Sequence, residues 1–196
     1  MKHIIALMGS RGAGKSTVAE WYHHQHDFVY INFADKLKDI LAVVFNWDRR
    51  LLEGDTKKSR LFRETVDPYW SAKLGIPDLT PRWAMKNVSD ALKSVLGTDY
   101  FVHVLENEIN SINGNVVVGD VRFLVEIALL ERLNADFYWV IGRDEETTVR
   151  DHASDLEWRE KAQHPTTRRV LNTGTIAELY SQLETNYAHS RYALYG

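Results

Sequence analysis

His3-Ile-Ile-Ala-Leu-Met8 runs into Gly9-Ser-Arg-Gly-Ala-Gly14-Lys15-Ser16, and a helical pattern follows from Ser16 to about His26. An apolar strand, a glycine turn and a helix together give the string G-x-x-x-x-G-K-S its physical sense. The glycines let successive backbone N–H groups face phosphate oxygens with no Cβ in the way. The helix behind them lends the positive end of its macrodipole. Gly9, Arg11, Gly12, Ala13, Gly14, Lys15, Ser16 and Thr17 are therefore the candidate cradle for a donor nucleotide. Lys15 adds a point charge at the outer phosphates, and the Ser16 hydroxyl suits Mg²⁺. Arg11 either leans on the phosphates or pairs with a nearby carboxylate. The pattern predicts a chain that binds a nucleoside triphosphate.

Working outward, 196 residues fit one domain with insertions, long enough to bury about 70% of the unfolded surface. Apolar residues at 44% and charged residues at 26% are an ordinary globular balance. A formal charge of −3 and the lack of a basic stripe argue against a polynucleotide or a membrane surface as partner. Without cysteine there are no disulfides, thiolate nucleophiles or thiol zinc sites. No 18-residue apolar run and no signal-peptide core are present, which together with the missing cysteines points to the cytoplasm.

Five short apolar runs read as buried parallel strands: Ile4–Met8, Phe28–Phe33, Val116–Gly119, Phe137–Ile141 and Arg169–Leu171. Helical patterns separate them, at Asp35–Phe45, Phe123–Leu133 and Ile176–Leu183. The expected architecture is α/β, a doubly wound five-stranded parallel sheet. Two stretches interrupt it. Asn46 to Asn113 reads as a loop-rich piece holding Pro68, Pro77 and Pro81, then helices at Arg82–Leu96 and Tyr100–Ile112. Asp144 to Pro165 is charged and free of glycine.

These residues resemble the bacteriophage-type deoxynucleoside monophosphate kinases, a family of P-loop enzymes. The resemblance is carried by the phosphate loop and by Phe33-Ala-Asp-Lys-Leu-Lys38, Leu51–Asp55 with Arg60 and Arg63, and Asp67–Ser71. It continues through Thr80-Pro-Arg-Trp83, Leu96–Asp99, Val118-Gly-Asp-Val-Arg-Phe123 and Asn172–Thr175. It implies a three-layer P-loop kinase fold with a core at 1–34, 114–143 and 166–196, a helical acceptor-binding insertion at 35–113 and a short lid at 144–165. It implies transfer of the γ-phosphate of ATP to a deoxynucleoside monophosphate (dNMP). Another P-loop kinase, for dephospho-coenzyme A or a ribonucleoside monophosphate, stays open, as do a nucleotide-dependent switch and a homodimer. In the host cell of a phage the cytoplasm would again be the compartment.

The remaining candidates follow from the resemblance and from the charge that phosphoryl transfer must neutralise. Arg122 and Asp120 fall at the carboxyl edge of the third strand, where such sheets bind ligands. Arg122 would be catalytic and Asp120 would hold Mg²⁺ through water. The structural alternative makes Asp120 a helix cap and pairs Arg122 with Glu126. Asp35, Lys38, Arg82 and Trp83 are the acceptor-side candidates, with Asp35 as helix N-cap the alternative. Arg143 and Arg150, ahead of Arg159, are the lid arginines, against a solvated pairing such as Glu146–Arg150. Asn172 and Gly174 resemble a loop against adenine. The family carries an arginine soon after Gly97-Thr98-Asp99, where this chain has Tyr100–Val104, so another cation must serve there.

Overall fold

The computed structural model describes residues 2–143 and 154–195, and the side chains of these except 154–156 and 191–195. Ile4–Met8 forms β1, buried at every position, as a central parallel strand covered on both faces must be. Val29–Ile31 (β2), Val116–Val118 (β3), Asp136–Gly142 (β4) and Arg168–Asn172 (β5) complete the sheet. Its order is β2-β3-β1-β4-β5, and every pairing is parallel. The expected fold class is therefore the observed one. Strand ends differ from the sequence reading by one or two residues, the usual fraying of boundaries.

Two compact units divide the chain: Met1–Asn32 with Leu105–Gly196, and Phe33–Val104. The first contains the whole sheet. Its helices are α1 (Lys15–His26), α7 (Leu124–Arg132), α8 (Ser154–Ala162) and α9 (Ile176–Tyr195), along with most of α6 (Tyr100–Ser111). Ile5, Leu7, Val117, Tyr138, Val140 and Val170 from the strands pack with Val18, Ala19 and Tyr22 of α1 and Leu179 and Leu183 of α9. Among the described residues no helix is long and apolar enough to cross a membrane.

The second unit is helical: α2 (Asp35–Phe45), a 3₁₀ turn at Arg49–Leu52, α3 (Lys57–Glu64), α4 (Pro68–Leu74) and α5 (Pro81–Leu96). Leu37, Leu41 and Phe45 of α2 close on Leu52, Leu79 and Ala84. The sequence reading left residues 46–81 as loop; α3 and α4 correct it. Lys57-Lys-Ser-Arg-Leu-Phe-Arg-Glu64 carries no apolar stripe, so periodicity could not reveal α3, which begins on a Thr56–Ser59 capping box. Two of the three prolines in this piece open helices. Pro68 and Pro81 occupy first-turn positions behind the capping side chains of Asp67 and Thr80. The indole N–H groups of Trp47 and Trp70 donate to Asp67 Oδ2 and to the Phe45 carbonyl, so both tryptophans serve packing.

A third helix beyond the sequence reading, α8, lies in the charged stretch after β4. On α8, Trp158 and Ala162 are buried, Lys161 pairs with Glu131 of α7 at 2.7 Å, and its ammonium lies 4.4 Å from the Phe137 ring centre. This part of the stretch is docked on β4 and α7.

The amino-terminal edge of the sheet is bound by a polar cluster. His3 Nε2 meets Asp136 Oδ2 at 2.9 Å, and Arg168 donates to Tyr138 Oη, the Asn186 carbonyl and Ser190 Oγ. Burial opposes the charge on Asp136, but the His3 bond, Arg168 and Ser190 outweigh it and hold its carboxyl below the ordinary 3.8. A carboxylate with a lowered folded-state pKa contributes stability above its unfolded value and loses it as pH falls further. Asp136→Asn is expected to cost about 1 kcal/mol at pH 7, discounted for part exposure, or roughly 2–4 °C in melting temperature. The gap to the parent should close as the pH drops below about 3.8. Thermal melts across pH check it, and a gap that widens in acid contradicts it.

Candidate functional site

The phosphate loop leaves β1 at Gly9, turns over the ends of β4 and β5, and enters α1 at Lys15. Its conformation depends on missing side chains. Gly9, Gly12 and Gly14 have φ of 146°, 86° and 97°, a region costly for residues with a Cβ. A Cβ on Gly9 would run into the Val140 carbonyl oxygen, and one on Gly14 into the Asn172 amide. The approach is just as close from the other side. A Cβ on Gly142, at the end of β4, would sit 2.8 Å from Ala13 Cα. Asn172, ending β5, donates from Nδ2 to the Ala13 carbonyl at 2.9 Å. α1 starts without a side-chain cap or an acidic residue in its first turn, so the positive helix end carries no built-in counter-charge.

Within this cradle Ser16 is exposed, Thr17 is half-buried and Arg11 stands exposed at the turn. Lys15 folds back, donating from Nζ to the Gly9 and Ser10 carbonyls at 2.7 and 2.9 Å. The ammonium is thus held over the loop's own backbone. The loop fits the group that its sequence implies: backbone donors in a cradle that Cβ atoms would fill, with the Ser16 hydroxyl and Asp120 as oxygen donors suited to Mg²⁺.

Asn172 thus buttresses Ala13 from the end of β5. Arg143, exposed after β4, donates to the carbonyls of Thr173 and Gly174. Loop, Arg143 and the residues after β5 form one assembly. Arg150 and Glu146 lie outside the described residues. Arg159, on α8, sets its guanidinium 5.9 Å from the Trp158 ring centre.

Ala6 pairs with Val118, so Gly9 and the Asp120–Arg122 turn emerge at the same edge from neighbouring strands. Here the structural alternative changes form. Phe123, not Asp120, stands at the cap of α7, and Glu126 Oε2 accepts the backbone N–H groups of Arg122 and Phe123 at 2.7 and 3.0 Å. Glu157 of α8 accepts the next one, from Leu124, at 2.8 Å. The Arg122 side chain is exposed and Asp120 is half-buried. Burial, then the nearby Asp120 charge, push the Glu126 carboxyl up to about 8, against the lowering effect of the two backbone bonds and Arg122. A capping-box search begins from serine or threonine; with Phe123 at that place, Glu126 escapes it.

In the second unit Lys38 is buried on α2, its ammonium 2.6 Å from Glu53 and 3.3 Å from Asp35. Arg49, from the 3₁₀ turn, reaches Asp35 at 3.2 Å and Asp39 at 2.6 Å, and also pairs with Glu53. Asp35 and Lys38 are therefore brought together, in an ionic cluster that the sequence reading missed, since Arg49 is distant along the chain. Asp35 is not a cap; Ala34 holds that place without a side-chain bond. Arg82, opening α5, pairs with Glu64, and Trp83 beside it is 37% exposed.

No protein-family model matches the chain. A protein of Acanthamoeba polyphaga mimivirus described as a putative deoxynucleotide monophosphate kinase is 26% identical over 203 aligned positions, covering 92% of this chain and 93% of that one. Among solved structures, a gluconokinase from Sinorhizobium meliloti 1021 aligns over 99% of this chain and 95% of its own, at 18% identity and a TM-score of 0.48. TT1252 from Thermus thermophilus aligns over 96% and 97%, at 22% identity and a TM-score of 0.46. Both scores are low; strand order and the phosphate loop carry the fold assignment.

Two measurements probe this geometry. Gly142→Ala overpacks the loop at Ala13; a cost of about 1–3 kcal/mol, taken by the loop, weakens ATP binding about 5- to 100-fold by calorimetry. Glu126→Gln keeps the oxygen acceptor and removes the ionisation. Since the raised pKa makes the parent lose stability as pH climbs from 4.5 through about 8, the variant should melt above it beyond that range and level with it near pH 4.5. A variant that melts lower at high pH contradicts the assignment.

Proposed function

We propose that the chain is a mononucleotide kinase that moves the γ-phosphate of ATP to the 5′-phosphate of a deoxynucleoside monophosphate, giving ADP and the diphosphate. The observation that carries it is the glycine cradle of Gly9–Thr17, shaped where a Cβ at Gly9 or Gly14 would not fit, with the Arg122 turn emerging beside it at the sheet's carboxyl edge. The acceptor class is supported by the description of the mimivirus relative and by the Thr80–Trp83 and Val118–Phe123 blocks.

In this reading the triphosphate lies on the loop amides and the α1 amino terminus. Lys15 exchanges the Gly9 and Ser10 carbonyls for phosphate oxygens. Ser16 and Asp120 are the residues that would hold Mg²⁺, which when bound offsets charge on the outer phosphates. Arg143, tied to the Thr173 and Gly174 carbonyls, orders the donor side, and Arg150 is assigned to the same side. On the sheet unit Arg122 is assigned to the acceptor phosphate, and in the helical unit Arg82 and Trp83 are assigned to acceptor recognition. Lys38 and Asp35 shape that side through their ionic cluster. An acceptor phosphate oxygen forms the new bond to the γ-phosphorus as the bond to the β–γ bridging oxygen breaks. The nucleophile is ionised near neutral pH, so no general base is needed, and positioning and cations supply the catalysis.

A coupled assay for ADP across deoxy- and ribonucleoside monophosphates tests the reading. ADP formation should depend on a deoxynucleotide acceptor. Lys15→Ala and Arg122→Ala should each lower turnover at least about 100-fold with the fold intact. Acceptor-independent ATP loss, or near-normal turnover in either variant, contradicts it.

A further inference from the structure

The turn carrying Asp120 and Arg122 is held from inside the protein. Val121 is buried on one side, and Glu126, buried at 7% exposure, reaches back from the first turn of α7 on the other. The Glu126 bonds go to the amides of Arg122 and Phe123, and a bond to the amide of Arg122 restrains the backbone from which its side chain projects. A group that served only to cap α7 could do so from the surface, as Glu157 does for Leu124 while part exposed. Glu126 is instead sequestered with one oxygen on both amides, so what the turn takes from it is an oxygen acceptor of fixed position.

We propose that Glu126 is a positioning residue for phosphoryl transfer, fixing the Asp120–Phe123 turn so that Arg122 is presented at the edge where the phosphate loop begins. The inference rests on the kinase reading for its chemistry, but its geometric core can be measured separately. Glu126 acts through Arg122, which sets it apart from a residue of general structural worth. A carbonyl oxygen can accept the same two N–H groups, so glutamine should replace it and alanine should not.

The experiment is a double-mutant cycle on the full chain, with kcat and KM for ATP and dNMP, melting temperatures, and amide hydrogen exchange by NMR. Glu126→Ala should lower kcat at least about 30-fold with KM for ATP within about threefold, while Glu126→Gln stays within about threefold of the parent. On an Arg122→Ala background, Glu126→Ala should cost no more than about a further threefold. The amides of Arg122 and Phe123 should exchange faster in Glu126→Ala and as in the parent in Glu126→Gln. Equal kcat losses on both backgrounds, a glutamine variant as damaged as alanine, or unchanged exchange of the two amides would overturn the proposal. Failure of the kinase reading is a separate result: the parent itself turns over no deoxynucleotide. The cycle is then read on the acceptor that does turn over. If none does, unchanged exchange, or an effect on the Mg·ATP dissociation constant that survives Arg122→Ala, overturns it.

Discussion

The close approach of the phosphate loop to the ends of β4 and β5 is the constraint from which the rest of the site follows. Gly9 lies against the Val140 carbonyl, Gly142 against Ala13, and Asn172 holds the Ala13 carbonyl. Protein interiors are packed densely enough that a single methyl at such a contact must displace something. Here the thing displaced would be the backbone of the glycine loop itself. The loop therefore inherits its shape from the sheet, and the sheet, buried through β1 and pinned at its other edge by the His3–Asp136–Arg168 cluster, is the rigid part.

A second regularity concerns charge. Several cations with a prospective role are held by protein groups. Lys15 rests on loop carbonyls, Arg143 on the carbonyls after β5, Arg82 on Glu64, and Lys38 with Arg49 among Asp35, Asp39 and Glu53. Long cationic side chains lose much conformational freedom on binding an anion, and holding them beforehand reduces that loss. Carbonyls are weaker partners than phosphate oxygens and give way to them easily, whereas a buried ammonium between two carboxylates does not. That contrast is why Lys38 is better suited to shaping its surroundings than to grasping a ligand.

Much of the fold was legible because its signals are local. A buried parallel strand needs a short β-branched run, so β1 and β3 could be read almost to the residue. Helices with an apolar stripe, such as α2 and α5, were equally plain. What escaped was structure whose signal lies elsewhere. α3 has only the adjacent Leu61 and Phe62 as apolar residues and opens on a capping box, α4 is seven residues opened by a proline, and α8 is anchored by one tryptophan inside a charged run. For the site, the phosphate loop was evident, and Glu126 was legible as a partner of Arg122, but its bonds to the backbone amides were hidden by a phenylalanine where a capping box has serine or threonine.

The sequence by itself determined the local chemistry: a glycine turn between strand and helix, a lysine at its end, and short apolar runs separated by helical patterns, the mark of a buried parallel sheet. Which side chains oppose one another was decided by the tertiary structure alone. Asn172 meets Ala13 across 159 residues, and Arg49 meets Asp35 and Asp39 across a turn. Such contacts have no periodicity to read, because their partners are chosen by strand order and by the path of the chain between them.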